Sequence, residues 1–316
     1  MTLFVFMGTP LFSTVLLDQL EKANFRPTLV VTQPDRPCGR GRRLTPSPVA
    51  TWAQARGILT LKPGSCRDRV FADKLKELAP VFILTAAFGQ ILPSSVLEIP
   101  EKGCLNLHAS LLPRYRGASP VQAVLLSGEK ETGVSLMRMD EGLDTGPVIA
   151  QRRMALSDTI GAGDLNLALA RLGGELVVES ICPYLAGKLV PEPQDESRAT
   201  ITRLLKKADG QVDFDRPAKD VHNHIRAMNP WPGAFAFLQG RRHKLLRAKV
   251  FENSIARGTP GELRIVDKRM IVLCREGAVE ILEIQAESGA PMACITCSHN
   301  FVEGAVFSPY SLNGQA

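Results

Sequence analysis

The chain has 316 residues, 45% of them hydrophobic and 22% charged, with a formal net charge of +6. That balance describes an ordinary globular protein with room for two domains, and it excludes collagen-like, low-complexity and disordered chains. No apolar run approaches the length that crosses a bilayer, and the basic excess is spread over both halves, which permits an anionic partner without requiring one.

The first two thirds alternate strand and helix. Leu3–Met7 reads as a short buried strand. It has no basic residues before it and runs straight into Gly8-Thr9-Pro10, so it is not a signal peptide, and the expected location is the cytoplasm. A helix follows through Glu21, then a strand over Thr28–Thr32, helices over Pro48–Arg56 and Asp68–Leu78, and a strand over Val81–Ala87. A short helix at Pro93–Leu97 precedes a strand at Cys104–His108 and a helix at Pro120–Leu126. Strands at Thr132–Met139 and Val148–Met154 complete the sheet, and Asp164–Leu185 is a long helix, kinked or frayed near Pro183. This alternation predicts an α/β fold with a mainly parallel sheet covered on both faces. No G-x-G-x-x-G follows the first strand, so dinucleotide binding is not supported.

Residues 188–207 are rich in proline and polar side chains and suit a linker. A helix over Ala218–Met228 comes next, then short runs at Ala234–Leu238, His243–Phe251, Gly261–Val266, Met270–Cys274 and Val279–Gln285. Their spacing predicts a small antiparallel barrel. The expected division is therefore 1–187, 188–207 and 208–316. Seven cysteines at irregular spacing, among them Cys104, Cys182 and Cys274 in apolar runs, read as reduced, buried thiols. Cys294 and Cys297 have metal-like spacing but no second pair nearby, which leaves a weak zinc site.

The chemistry concentrates in residues 104–147. Asn106 and His108 are two apart on a strand, so they share a face and can meet one substrate atom together. Asp144 follows a second apolar run, Val134–Met139, and a glycine-containing loop. An amide donor, an imidazole and a carboxylate are the groups needed to stabilise an oxyanion and manage a proton. They suit acyl transfer to an amine better than attack by an enzyme nucleophile. Four arginines, Arg36, Arg40, Arg42 and Arg43, lie within eight residues with glycines between them. Phosphates attract such a segment and guanidinium planes stack on bases, although a solvated basic loop has the same composition.

The pattern N-x-H-x-S-L-L-P-x-Y-R-G over 106–117, followed by D-x-G-x-D-T-G over 140–146, resembles the folate-dependent formyltransferases. The likeness extends to Phe6–Phe12, to the Arg-rich loop at 32–48, to Ala87–Pro93 and to Asn229–Phe235, nearly the whole chain. It implies a Rossmann-like formyl-transfer domain, a linker and an OB-like β-barrel that binds tRNA. It also implies transfer of a formyl group from 10-formyltetrahydrofolate to the amine of methionyl-initiator tRNA, with Asn106, His108 and Asp144 catalytic and with no metal. Folate contacts are implied at Phe88, Gly89, Ile91, Leu92 and Pro93, at Ser110, Leu111, Leu112 and Pro113, and at Asp140 and Gly142. A flat pterin needs an apolar slot edged by backbone donors and acceptors. Contacts to tRNA are implied at Arg36, Arg40, Arg42 and Arg43, with Arg42 on the acceptor stem; Lys206 and Lys207 are candidate phosphate contacts. No membrane and no obligate protein partner is implied.

The chain departs from the pattern at Phe88, where the family often has Tyr, at Ala109 and Ser119, and over 286–303, where Met292–Asn300 fits the family's helix poorly. The nearest alternative is a formyltransferase acting on an amino-sugar nucleotide or another small amine such as glycinamide ribonucleotide. A formyl-folate hydrolase and a non-catalytic tRNA-binding protein are more distant: the first has no need of the second domain, and the second no need of an intact Asn106/His108/Asp144 set.

Overall fold

The computed structural model describes residues 3–38, 41, 43–253 and 258–308. Contacts divide the chain into two compact units that are not contiguous in sequence. One comprises Met1–Pro120, Glu131–Ala155 and Asn166–Thr202; the other comprises Val121–Lys130, Leu156–Leu165 and Arg203–Ala316.

In chain order the strands of the first unit are β1 (Phe4–Gly8), β2 (Leu29–Val31), β3 (Arg36–Cys38), β4 (Arg43–Thr45), β5 (Leu59–Leu61), β6 (Phe82–Ala86), β7 (Cys104–His108), β8 (Arg116–Gly117), β9 (Glu131–Arg138), β10 (Val148–Ala155) and β11 (Ile201–Thr202). The helices of the first 185 residues are α1 (Leu11–Lys22), α2 (Pro48–Gln54), α3 (Arg69–Leu78), α4 (Ser94–Leu97), α5 (Pro120–Leu126) and α6 (Ala162–Leu185). The main sheet runs β10-β9-β7-β6-β1-β2-β5. Strands β5, β2, β1, β6 and β7 are parallel, and β9 and β10 follow as antiparallel partners. β1 and β6 are buried along their whole length, as expected of strands covered on both faces.

Local chemistry explains where the helices start. Ser47 accepts from the amide of Ala50, with Pro48 as the first helical residue of α2. The Asp68 carboxylate accepts from Val70 N at 3.0 Å and begins α3. The chain moves outward from β1 to β2 and β5, then returns to β6 and β7. The loops after β1 and β6 therefore part at the point where open α/β sheets take ligands.

The segment after α6, which composition suggests is a linker, is hydrogen-bonded within the first unit. Glu192 bridges to Val148, and β11 pairs in parallel with β8, Ile201 against Arg116 and Thr202 against Gly117. Gly117 has φ +100°, and a Cβ there would lie 2.5 Å from Thr202 O, so the close approach requires glycine.

The second unit holds α7 (Ala218–Met228) and an antiparallel sheet of β12 (Phe235–Leu238), β13 (Arg241–Phe251), β14 (Leu263–Val266), β15 (Arg269–Leu273), β16 (Ala278–Ala286), β17 (Met292–Ala293) and β18 (Phe307–Ser308). Its order is β14-β15-β16-β13-β12-β18, with β17 on β16. Register shifts around Arg247 in the long β13–β16 pair bend the sheet into a curled half-barrel. α7 buries Val221, Ile225 and Met228. The divergent tail does form a helix, one turn at α8 (Cys294–Cys297), because Cys294 and Cys297 fall on one helix face and are both buried. The cysteines are all free; Cys38 and Cys182 are exposed, against the expectation that Cys182 is buried. Among the described residues no helix is long and apolar enough to cross a membrane.

Candidate active site

β7 and two loops of the first unit bring Asn106, His108 and Asp144 together. Asn106 pairs in register with Thr85 on β6, and the Thr85 hydroxyl lies 2.9 Å from Asn106 Oδ1. That contact fixes the carboxamide with its nitrogen toward Asp144, and Asn106 Nδ2 donates to Asp144 Oδ1 at 3.3 Å. One amide proton uses that bond, and the second remains for a ligand oxygen. His108 is 6% exposed. Its Nδ1 lies 3.5 Å from Asp144 Oδ2 and its Nε2 2.9 Å from the carbonyl of Tyr115. Both ring nitrogens thus face oxygen acceptors. A neutral ring can serve only one of them, whereas an imidazolium donates to both.

Asp144 sits at φ +54°, in the left-handed region that Asp and Asn enter more readily than other non-glycine residues. Its Oδ2 accepts from the amide of Gly117 at 2.8 Å. The neighbouring Gly146 admits no side chain, since a Cβ would lie 1.9 Å from Arg138 O. At the start of the same loop Asp140 Oδ1 accepts from Gly142 N at 3.0 Å and from Thr145 Oγ1 at 2.7 Å, closing the turn on itself.

The residues expected at the folate are placed as follows. Phe88 and Leu92 belong to the buried core beneath the loop, with Val96 and Cys104, and Ile91 is 77% exposed. The Phe88 carbonyl is already used, accepting from Thr9 Oγ1 at 2.9 Å and Gln33 Nε2 at 3.2 Å. Gly89 and Pro93 lie on the same loop, with Gly89 at φ +82°. The turn Ser110-Leu111-Leu112-Pro113 is held from β9 and β10: Ser135 Oγ accepts from Leu112 N at 3.0 Å and donates to Ser110 O at 2.7 Å, and Gln151 Nε2 donates to Leu112 O at 2.8 Å. A cavity of about 910 Å³ opens at the ends of β1, β2 and β6, walled by Thr9, Thr14, Gln33, Ser47, Trp52 and Phe88. Asn106, His108 and Asp144 do not line it.

Of the cationic candidates, Arg36 and Arg43 are exposed on the antiparallel pair β3–β4, which residues 39–42 connect, and Arg36 Nη2 donates to Gln33 Oε1 at 2.8 Å. Arg40 and Arg42 lie outside the described residues. Lys206 and Lys207 are exposed in the second unit, where Asp209 accepts from Lys206 N at 2.6 Å. Among the described residues no group of three or more His, Cys, Asp or Glu side chains is arranged to hold a metal ion. Burial pushes the Cys294 thiol up to about 12 and raises Cys297 as well.

Thr85, Gly117, Tyr115 and Gln194 frame the three polar residues; Tyr115 and Gly117 belong to the 106–117 motif without a role assigned to them there, and Thr85 and Gln194 carry no signal in the sequence. Thr85 is one more residue of an apolar strand, the contributions of Tyr115 and Gly117 are backbone groups, and Gln194 lies 50 residues from Asp144.

The mainly parallel sheet thus brings an amide, an imidazole and a carboxylate together, and two family models match the chain. The family model described as "Formyl transferase" matches residues 1–181, and "Formyl transferase, C-terminal domain" matches 204–298. The chain belongs to the formyl transferase family. Within it, the chain stands with the methionyl-tRNA formyltransferases. It is 45% identical to that enzyme of Geobacter sulfurreducens over 90% of this chain and 89% of the relative. It is 41% identical to that of Caldanaerobacter subterraneus subsp. tengcongensis over 96% and 98%. Among solved structures the fold matches an N-formyltransferase from Helicobacter canadensis, in complex with folinic acid and dTDP-3-aminofucose. That match has a TM-score of 0.69 at 18% identity, covering 91% of this chain and 100% of the other. It also matches a methionyl-tRNA formyltransferase from Clostridium thermocellum, at a TM-score of 0.55 and 19% identity over 79% and 94%.

Proposed function

We propose that the chain transfers a formyl group from 10-formyltetrahydrofolate to the amino group of methionyl-initiator tRNA, for translation initiation in the cytoplasm. The observation that carries this reading is the Asp144 carboxylate reaching both Asn106 and His108, in a chain that resembles methionyl-tRNA formyltransferases over nearly its full length.

The neutral amine attacks the formyl carbon, and the carbonyl electrons move to oxygen. Asn106 donates its free amide proton to that oxyanion. The proton leaving the attacking nitrogen passes to the His108–Asp144 pair. The imidazolium so formed has an acceptor at each nitrogen, Asp144 Oδ2 and Tyr115 O. When the tetrahedral intermediate collapses, the bond from the formyl carbon to the folate nitrogen breaks and the proton returns to that nitrogen. The products are a formylated amine and tetrahydrofolate. No step calls for a metal, because the donor's formyl group is already activated.

In this reading the folate lies against Phe88, Gly89, Ile91, Leu92 and Pro93, the Ser110–Pro113 turn, Asp140 and Gly142. Residues 1–187 carry the transfer chemistry, 188–207 connect, and 208–316 bind tRNA together with the Arg36–Arg43 loop, Lys206 and Lys207. The test is incubation of the purified protein with 10-formyltetrahydrofolate and charged initiator tRNA, scored for formyl-methionine. Transfer to an amino-sugar nucleotide instead, with charged tRNA left unmodified, would overturn the reading. The fold likeness to the Helicobacter canadensis structure is compatible with that acceptor, but at 18% identity it shows the fold alone.

A further inference from the structure

Gln194 lies in the stretch that composition marks as a tether, and it hydrogen-bonds with every group of its carboxamide. Its Nε2 donates to Asp144 O at 2.8 Å and to Gly146 O at 2.7 Å. Its Oε1 accepts from Arg116 Nε at 3.1 Å and Nη2 at 2.9 Å. Arg116 is 4% exposed and is held from its far side by Glu196, with Nη1 to Oε2 at 2.9 Å and Nη2 to Oε1 at 2.6 Å. The backbone closes the same circuit, because Gly117 N, next to Arg116, donates to the Asp144 carboxylate while β8 pairs with β11.

We infer that Gln194 is a positioning residue for the transfer reaction, holding the backbone of Asp144 so that its carboxylate meets Asn106 and His108; the inference rests on the reading of those three as the catalytic set. The physical case has two parts. Asp144 sits in the left-handed region at φ +54°, and the Gln194 amide is bonded to the carbonyl oxygens of both Asp144 and Gly146, pinning the backbone on either side of the turn. The restraint is also confined to one end of the loop. The Asp140 end is closed by its own bonds to Gly142 and Thr145, so losing Gln194 leaves the folate-side turn in place.

Full-length variants separate positioning from general damage. Gln194→Glu keeps an acceptor for Arg116 but has no N–H for the two carbonyls, and Gln194→Met removes both interactions at similar length. Both should lower kcat by about tenfold to a hundredfold, as expected when a reacting group is misplaced by a fraction of an ångström. The KM for charged tRNA, the affinity for tetrahydrofolate measured by calorimetry and the melting midpoint should stay close to wild type. A kcat within about twofold of wild type, or a loss of folate affinity in proportion to kcat, overturns the inference, since the latter is what loss of loop structure would give. Should neither variant fold, Glu196→Gln on an exposed side chain decides. A lowered kcat at unchanged folate affinity upholds the role, and an unchanged kcat overturns it. An inactive wild type defeats the reading of the site and the inference with it; an active wild type with an equally active Gln194→Glu defeats the inference alone.

Discussion

The Thr85 hydroxyl stands 2.9 Å from Asn106 Oδ1 and 3.0 Å from Leu105 O, so one threonine ties the amide of the reactive strand to its neighbour in the sheet. Removing the amide itself, in Asn106→Ala, should cost roughly 2.7–4 kcal/mol of transition-state stabilisation, or ~10²–10³ in rate, while folate still binds. Thr85→Val keeps the shape but releases the amide to rotate, and should give a smaller loss in the same direction. Single-turnover rates with saturating donor measure both, and a near-normal rate for Asn106→Ala would refute its assigned role.

Asp144→Asn should preserve the fold and lower the rate by roughly 10²–10⁴, the range for losing a working acid–base pair. The carboxylate accepts from Gly117 and Asn106 and faces His108, and an amide cannot accept on both sides. The deficit should persist across the working pH range. Full recovery at high pH would mean that Asp144 only adjusts a protonation equilibrium.

The exposed arginines of the β3–β4 hairpin should act on tRNA and not on folate. Arg36→Ala and Arg43→Ala should each reduce the salt slope of tRNA affinity by about one unit if they contact phosphate. Filter binding across a salt series reads this. An unchanged slope and KM for both would leave the hairpin a solvated loop.

Asp209 is held at about 2, below the usual carboxylate range, first by its hydrogen bond with Arg203 and then by the amide of Lys206. A depressed carboxylate stabilises the fold above its ordinary pKa, and the contribution is lost as pH falls from about 4 toward 2. Asp209→Asn should therefore match wild type less well at pH 6 than at pH 2, and urea midpoints over that range give the comparison. The same variant should loosen the turn that carries Lys206 and Lys207, and it should weaken tRNA binding.

Thiol chemistry should divide the cysteines into two groups. Cys38 and Cys182 are exposed and should react quickly with a thiol reagent at neutral pH. Cys66, Cys104, Cys274, Cys294 and Cys297 are buried, with Cys66 pushed up to about 11 and Cys104 and Cys274 to about 12 by desolvation. They should react only on unfolding. Fast labelling of Cys294 or Cys297, read by peptide mapping, would contradict this division.

Apolar patterning revealed most strands and helices of the main sheet and the helix that opens the second unit. Cys104–His108, Pro120–Leu126 and Ala218–Met228 fall where the pattern puts them, and caps at Ser47 and Asp68 mark two helix starts. Strands of two or three residues, such as Leu59–Leu61, Arg116–Gly117 and Ile201–Thr202, are too short to show a period of two. Proline and arginine hid the hairpin at Arg36–Cys38 and Arg43–Thr45. At the site, Asn106 and His108 were legible because strand geometry places residues two apart on one side, and Asp144 because its loop carries the D-x-G-x-D-T-G pattern. Gln194 was not, because its partners lie 50 and 78 residues away and ordinary glutamines look the same in a polar stretch.

The chain passes back and forth between the two units rather than finishing one before starting the next. Segments 121–130 and 156–165 belong with the C-terminal half, where His222 Nε2 lies 2.8 Å from Asp158 O and Arg226 Nη1 donates to Ser157 O at 3.1 Å. The stretch through Thr202 belongs with the first unit. No single cleavage point therefore yields two intact halves. A fragment ending at 187 forfeits Gln194 and Thr202, and one ending at 202 strands two inner segments without the partners that cover them. During synthesis the early sheet must wait for residue 202, and the inner segments must wait for the barrel, before either half has all its parts.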